Sequence, residues 1–261
     1  MTIDSHTHVF PEHVAERAME SLSARYGARP VGRASPSGLL EHMDACGVER
    51  AVLAPVATRP GQVASINAWL AEIRSDRLVP LGALHPHLPD PANEIQRLLD
   101  AGFRGVKLHC HFQGFAMDDP ALDRLLELVG DQLVVLMHCG DEIAPLEHVE
   151  PTPPRILAMH QRHPEVQLIL AHLGGYQEWD EAEALLCGRD VYLDISYVFG
   201  HCSDEQVKRM VRAHGADRII WGSDFPWQSE CDALAGLDRL GLSPAERQAV
   251  LCGNARRVLG L

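Results

Sequence analysis

Short apolar runs alternate with amphipathic stretches from one end of the chain to the other. Eight of these runs, at residues 3–9, 50–55, 78–85, 105–110, 133–139, 167–172, 191–196 and 218–224, are predicted strands. Leu133-Val134-Val135-Leu136-Met137 is apolar throughout, the pattern of a strand covered on both faces in a parallel sheet flanked by helices. Helical spacing fills the intervals. Ile66, Trp69, Leu70 and Ile73 recur at i, i+3, i+4 and i+7, as do Leu122, Leu125, Leu126 and Val129. Val207, Met210 and Val211 repeat the spacing more briefly. Asp119-Pro120 reads as an N-cap with Pro at N1, and Ser243-Pro244-Ala245-Glu246 as a capping box that opens the terminal helix. Eight strand–helix units in 261 residues predict an α/β fold, a (β/α)8 TIM barrel forming one domain over residues 1–261. A doubly wound open sheet would place a Gly-rich phosphate turn after the first strand, where this chain has His6-Thr7-His8. Three long connections, at 23–38, 141–154 and 225–231, follow predicted strands. They are expected as extended βα loops on the C-terminal face, where barrel active sites are built.

Composition narrows the partners. A net charge of −13 disfavours a nucleic-acid backbone or an anionic membrane surface, both of which call for a basic face. No apolar run approaches the ~20 residues that span a bilayer, and Met1-Thr2-Ile3-Asp4-Ser5-His6 has neither the basic nor the apolar region of a secretory leader. Seven cysteines without a pairing pattern make a poor disulfide framework, so reduced thiols and a cytoplasmic location are expected. The unusual feature is the 15 histidines.

Their placement is not random. His6 and His8, two residues apart at the end of the first predicted strand, point to one face, the barrel interior. His85 ends the third strand, and Lys107, His109 and His111 share one face of the fourth and its exit. His138, His172 and Asp224 end the fifth, sixth and eighth, and Asp194 lies on the seventh. A closed barrel gathers these distant residues into one ring. Imidazoles crowded together are costly as cations, and a divalent metal is the natural way to satisfy them. Asp4, deeper in the first strand, is placed to orient its neighbours. The histidines at 13, 42, 148, 160, 163, 201 and 214 fall on helices or loops and read as surface or structural.

Three motifs in order carry a resemblance. Ile3-Asp4-Ser5-His6-Thr7-His8, Leu170-Ala171-His172-Leu173-Gly174-Gly175 and Trp221-Gly222-Ser223-Asp224-Phe225-Pro226 resemble the amidohydrolase superfamily. The branch it resembles is the one that includes aminocarboxymuconate-semialdehyde decarboxylase, and the C-terminal Cys252-Gly253-Asn254-Ala255-Arg256-Arg257-Val258-Leu259 of this chain also resembles that group's ending. The resemblance implies that His6, His8, His138 and Asp224 ligate one divalent metal, with His172 beside its water as acid/base or orienting group. Three imidazoles and a carboxylate suit zinc, and Mn²⁺ or Fe²⁺ fits the same set. Lys107 departs from the decarboxylase pattern and resembles a strand-four lysine of other superfamily members. Three roles are open to it: a carboxylated bridge to a second metal, a buried cation that binds a substrate anion, or an ion pair with Asp224.

The expected activity is therefore a metal-dependent hydrolase that activates water for attack on an amide, lactone or ester carbonyl of a small substrate. Asp224 and His172 are its candidate catalytic groups. A metal-dependent decarboxylase acting on an unsaturated or aromatic carboxylic acid is the alternative, and a non-catalytic metal-binding barrel is the third reading. His109, His85 and Lys107 are candidates to stabilise an oxyanion or bind substrate. Arg59, or Arg25, Arg29 and Arg33 on the first loop, would clamp a carboxylate, and Trp227 and Tyr197 would supply an apolar wall. The expected partners are a small-molecule substrate and, by family resemblance, a second copy in a homodimer.

Overall fold

The computed structural model describes residues 1–261. Nine short parallel strands form two sheets: β1 (Ile3–Thr7), β2 (Arg50–Leu53) and β3 (Leu78–Pro80) in one, and β4 (Gly82–Ala83), β5 (Gly105–Leu108), β6 (Val134–Met137), β7 (Leu168–Leu170), β8 (Tyr192–Asp194) and β9 (Ile219–Ile220) in the other. β3 and β4 are one stave interrupted at Leu81, whose N–H turns to Leu53 O (2.9 Å) on the β2 side while β4 pairs with β5. The remaining seam closes between β1 and the exit of β9. Ser5 N donates to Trp221 O, Asp224 N to His6 O and His8 N to Phe225 O. The result is the eight-staved barrel expected from the periodicity, wrapped by helices.

The predicted helices form where the spacing placed them: Val63–Ile73, Pro120–Val129 and Asp204–His214. Asp119 accepts from Ala121 N ahead of Pro120, and Ser243 and Glu246 close their capping box. Every side chain of β6 is buried, as a strand apolar on both faces requires.

Three expectations need correction. The strands are two to five residues long, so His8, His85, His138, His172 and Asp224 lie just beyond them, where the chain is leaving the ladder. The 23–38 segment does not follow a strand. Helix Glu12–Tyr26 occupies the space after β1, and 23–38 is largely the link from it to helix Pro36–Cys46. The thiols are not all reduced, because Cys46 and Cys231 form a disulfide. A pairing across 185 positions leaves no local spacing signal, and the five other cysteines are free. No helix is long and apolar enough to cross a membrane.

Candidate active site at the barrel mouth

The C-terminal face opens on a cavity of ≈ 830 Å³, within the range of about 300–1,000 Å³ typical of small-molecule sites. His6, His8, Lys107, His109, His138, His172 and Asp224 line it on the barrel side. Met19, Leu22, Phe112, Ile143 and Trp227 give it an apolar wall, with Arg17 and Arg59 at the same surface. Trp227, Tyr197 and Arg59 are therefore at the cavity, as the sequence suggested. His85 is not. It is buried past the end of the broken β3–β4 stave, where its Nδ1 accepts from His87 N and Gln113 ties down the neighbouring Leu84 carbonyl. Arg25 is spent on the Phe112 ring and Arg33 on Glu12, and neither lines the cavity; nor does Arg29.

The hydrogen bonds of the imidazoles show what the ring can hold. His6 Nδ1 bonds Asp194 Oδ2 (2.8 Å), His8 Nδ1 donates to Ala54 O (2.8 Å), His172 Nδ1 to Ser196 O (2.9 Å) and His138 Nε2 to Asp141 O (3.1 Å). Each outer nitrogen thus has an acceptor. In a neutral ring this fixes the tautomer and leaves the inner nitrogen a bare lone pair. The inner nitrogens face one another, an anion or, for His6, also Lys107. His172 Nε2 and His138 Nδ1 are 3.2 Å apart, and His8 Nε2 and His6 Nε2 lie 3.0 and 3.6 Å from Asp224 Oδ1. Lone pairs so opposed need protons or a cation between them. One donor atom each from His6, His8 and Asp224 fall within 4.8 Å of one another, a set that fits a divalent metal. His138 is not in that trio; its free nitrogen faces His172.

Lys107 is the local competitor. Its Nζ lies 3.1 Å from His6 Nε2, with no carboxylate in ion-pair reach, so the simple Lys107–Asp224 pair is not what the fold builds. Burial lowers the lysine below its ordinary value, opposed by Asp194 and Asp224. Burial and Lys107 together bring His6 down to about 4. Burial, reinforced by Lys107 for His109 and by His109 for His138, holds both of those rings well below the usual histidine range. For Asp224, burial would raise the carboxyl, but the His8 hydrogen bond and the His6 and His8 charges outweigh it and hold it below the usual range.

The backbone is also specialised here. His172 and Asp224 have φ of 57° and 70°, left-handed values that cost a non-glycine residue of order 1–3 kcal/mol and collect at functional sites. Two glycines make room. A Cβ on Gly222 would stand 3.0 Å from His6 Cβ, and one on Gly140 would stand 2.1 Å from Tyr176 N. The second approach lets Asp141 N donate to Tyr176 O, which fixes the loop whose carbonyl orients His138.

Several residues at or beneath the cavity gave little signal of their role in the sequence. Asp194 was read only as one more strand-end group, yet it is wholly buried and organises two histidines. Besides holding His6, its Oδ1 accepts from His172 N and Ser196 N. Asp4 acts as expected, accepting from His6 N and Ser223 N. Glu142 accepts from Tyr26 (2.7 Å) and lies 3.0 Å from His111 Nδ1; with His109 these form a second group of metal-capable atoms within 4.8 Å. Glu142 sits in an irregular loop and Arg17 on a surface-patterned helix, so neither stands out in one dimension.

The barrel and the ring at its mouth define an enzyme of the amidohydrolase superfamily. The profile of the family described as Amidohydrolase matches residues 3–261, and the chain belongs to that family. It is 26% identical over 232 residues to an L-fucono-1,5-lactonase of Burkholderia ambifaria, covering 78% of this chain and 72% of the relative. Among solved structures it resembles a 5-carboxyvanillate decarboxylase of Novosphingobium aromaticivorans, complexed with manganese and 4-hydroxy-3-methoxy-5-nitrobenzoic acid, at 17% identity and a TM-score of 0.77 over 100% of this chain and 96% of that one. It also resembles a 2,6-dihydroxybenzoate decarboxylase of Rhizobium, at 20% identity and a TM-score of 0.71 over 99% and 98%. These structural likenesses establish the shared fold.

Proposed function

We propose that the protein is a metal-dependent hydrolase that opens the ring of a small, anionic lactone. The observation that carries this reading is the set of four imidazoles whose outer nitrogens are all engaged, with the inner nitrogens of His6 and His8 turned to Asp224 and those of His138 and His172 turned to each other. His6, His8 and Asp224 would hold the metal, with His138, at the end of β6, as the further candidate ligand. A divalent cation held there would supply an acidified water molecule and polarise the substrate carbonyl. His172, with its Nδ1 fixed on Ser196 O, presents Nε2 as the acceptor of the water proton, and Asp224 shares that proton. The same proton then passes to the ring oxygen as the carbonyl–oxygen bond breaks. Lys107 Nζ donates to the carbonyl oxygen as negative charge develops on it. Arg17 and Arg59, at the cavity surface, attract the substrate's anionic group. The lactonase relative supports a lactone over an amide, which the same residues would otherwise serve.

The test is turnover in oxygen-18 water after metal analysis. The expected product carries one solvent oxygen in its new carboxylate, and chelation abolishes turnover until metal is restored. Unlabelled carbon dioxide with no solvent oxygen in the product would replace this reading with a decarboxylase. Full turnover in metal-stripped protein would remove the metal from the mechanism.

A further inference from the structure

On the flank of the barrel, helix Pro36–Cys46 packs against helix Glu230–Arg239, and four metal-capable side chains meet at the contact. His42 and Cys46, four residues apart, share one face of the first helix, while Glu230 and Cys231 open the second. His42 Nδ1 is in contact with Glu230 Oε2, Cys46 Sγ is 3.9 Å from that same Nδ1, and Cys46 is bonded to Cys231. One donor atom each from His42, Cys46 and Glu230 lie within 4.8 Å of one another. A second observation points to a missing cation: Glu230 is wholly buried, yet its Oε1 has no hydrogen-bond partner. A buried carboxylate oxygen left alone is costly, and such groups are normally paired or bound to metal. Cys231 is exposed, so the disulfide is open to reductants and ions from solvent.

We propose that reduction converts this cluster into a second metal site, in which Cys46 Sγ, Cys231 Sγ, His42 Nδ1 and a Glu230 carboxylate oxygen hold zinc in place of the disulfide. The set gives two thiolates, one imidazole and one carboxylate, a closed tetrahedral structural site rather than a catalytic one. With Zn–S near 2.3 Å the two sulfurs stand about 3.7 Å apart, a gap that side chains on Cα atoms 5.0 Å apart reach by rotation. The chemistry balances. Two molecules of a small thiol supply two electrons and two protons to the S–S bond and leave as their own disulfide. Zinc then displaces both sulfhydryl protons, and His42 contributes the lone pair of its neutral ring. In either state the two helices stay clipped together beneath the loop that follows Asp224, because the His42 ring lies 5.2 Å from that of Phe225.

Cobalt reports thiolate ligation directly, and the barrel-mouth ligands contain no sulfur. The whole protein is reduced with dithiothreitol, desalted anaerobically and titrated with Co²⁺ beside the oxidised form. The reduced form is expected to bind one further equivalent and to show a sulfur-to-cobalt charge-transfer band that zinc abolishes. The double variant Cys46→Ser/Cys231→Ser should lose that band while keeping the other bound metal, and Glu230→Gln should weaken cobalt binding at least about tenfold, as loss of a ligand or its support does elsewhere. Equal cobalt uptake by both redox forms, or a band that survives in the double cysteine variant, would overturn the proposal. Should the variants fail to fold, the two redox forms of the wild-type protein still decide it.

Discussion

Two groups of histidines in this molecule, all buried but the half-buried His8, differ in one respect. At the barrel mouth, His6, His8, His138 and His172 each spend the outer ring nitrogen on a protein acceptor and leave the inner one facing another imidazole, Asp224 or, for His6, also Lys107. On the helical shell, His214 satisfies both: its Nδ1 accepts from Gly188 N and its Nε2 donates to Val191 O (2.9 Å). His163 is spent on carboxylates, Asp123 at 2.8 Å and Glu165 at 3.8 Å. Burial does not separate the groups, for His214 and His163 are 2% and 5% exposed and His138 and His172 are 7% and 4%. The unspent nitrogen does. A histidine that the fold has fully paired is a structural part, and one that the fold orients but leaves unpaired is held for something the chain does not supply.

Five substitutions test that distinction. Asp224→Asn should have the largest effect, losing the bound metal and turnover together, because it removes the only anion among the inner nitrogens; metal stoichiometry and kcat on one preparation check this. His172→Asn should keep the metal and lose about 10²–10⁴ in kcat, the usual worth of a positioned acid–base group. If it came out metal-free while His138→Asn stayed loaded, the roles of those two histidines would be exchanged. His214→Ala should reverse the pattern. It leaves Gly188 N–H and Val191 C=O without their partner, which costs about 1–3 kcal/mol in urea unfolding, with kcat per folded molecule unchanged. Asp123→Asn should have the smallest effect, under about 1 kcal/mol for a partly exposed pair, and its effect depends on pH. Burial pushes the Asp123 carboxyl up, but the hydrogen bonds from His163 and Arg162 outweigh this and hold it below its ordinary value. Its stabilisation is therefore present above the unfolded carboxylate range and lost as pH falls through the lower folded value. Wild type and variant should differ in denaturation midpoint at neutral pH and converge in acid.

The inferred flank site belongs between these classes. Glu230 is as buried as any shell residue, yet it has an unspent oxygen like the groups at the mouth.

Much of this was legible in one dimension because its causes are local. A strand apolar on both faces must be covered on both, so Leu133-Val134-Val135-Leu136-Met137 announced a helix-wrapped parallel sheet, and repeated strand–helix periods announced the barrel. Strand ends in such a barrel share one rim, which is why His6, His8, His138, His172 and Asp224 could be gathered before any coordinates. Tertiary structure decided what depends on partners from elsewhere in the chain. The stave broken at Leu81 carried His85 away from the cavity, and helix Glu12–Tyr26 brought in Arg17 instead of Arg29 or Arg33. Cys46 found Cys231 across 185 positions, and Asp194 took charge of His6 across 188. Periodicity and propensity act within a few residues, so the sequence alone determines which elements form and which side chains stand near the strand ends. Which ring nitrogen remains free is set by acceptors on other strands and loops, and those meet only when the barrel closes.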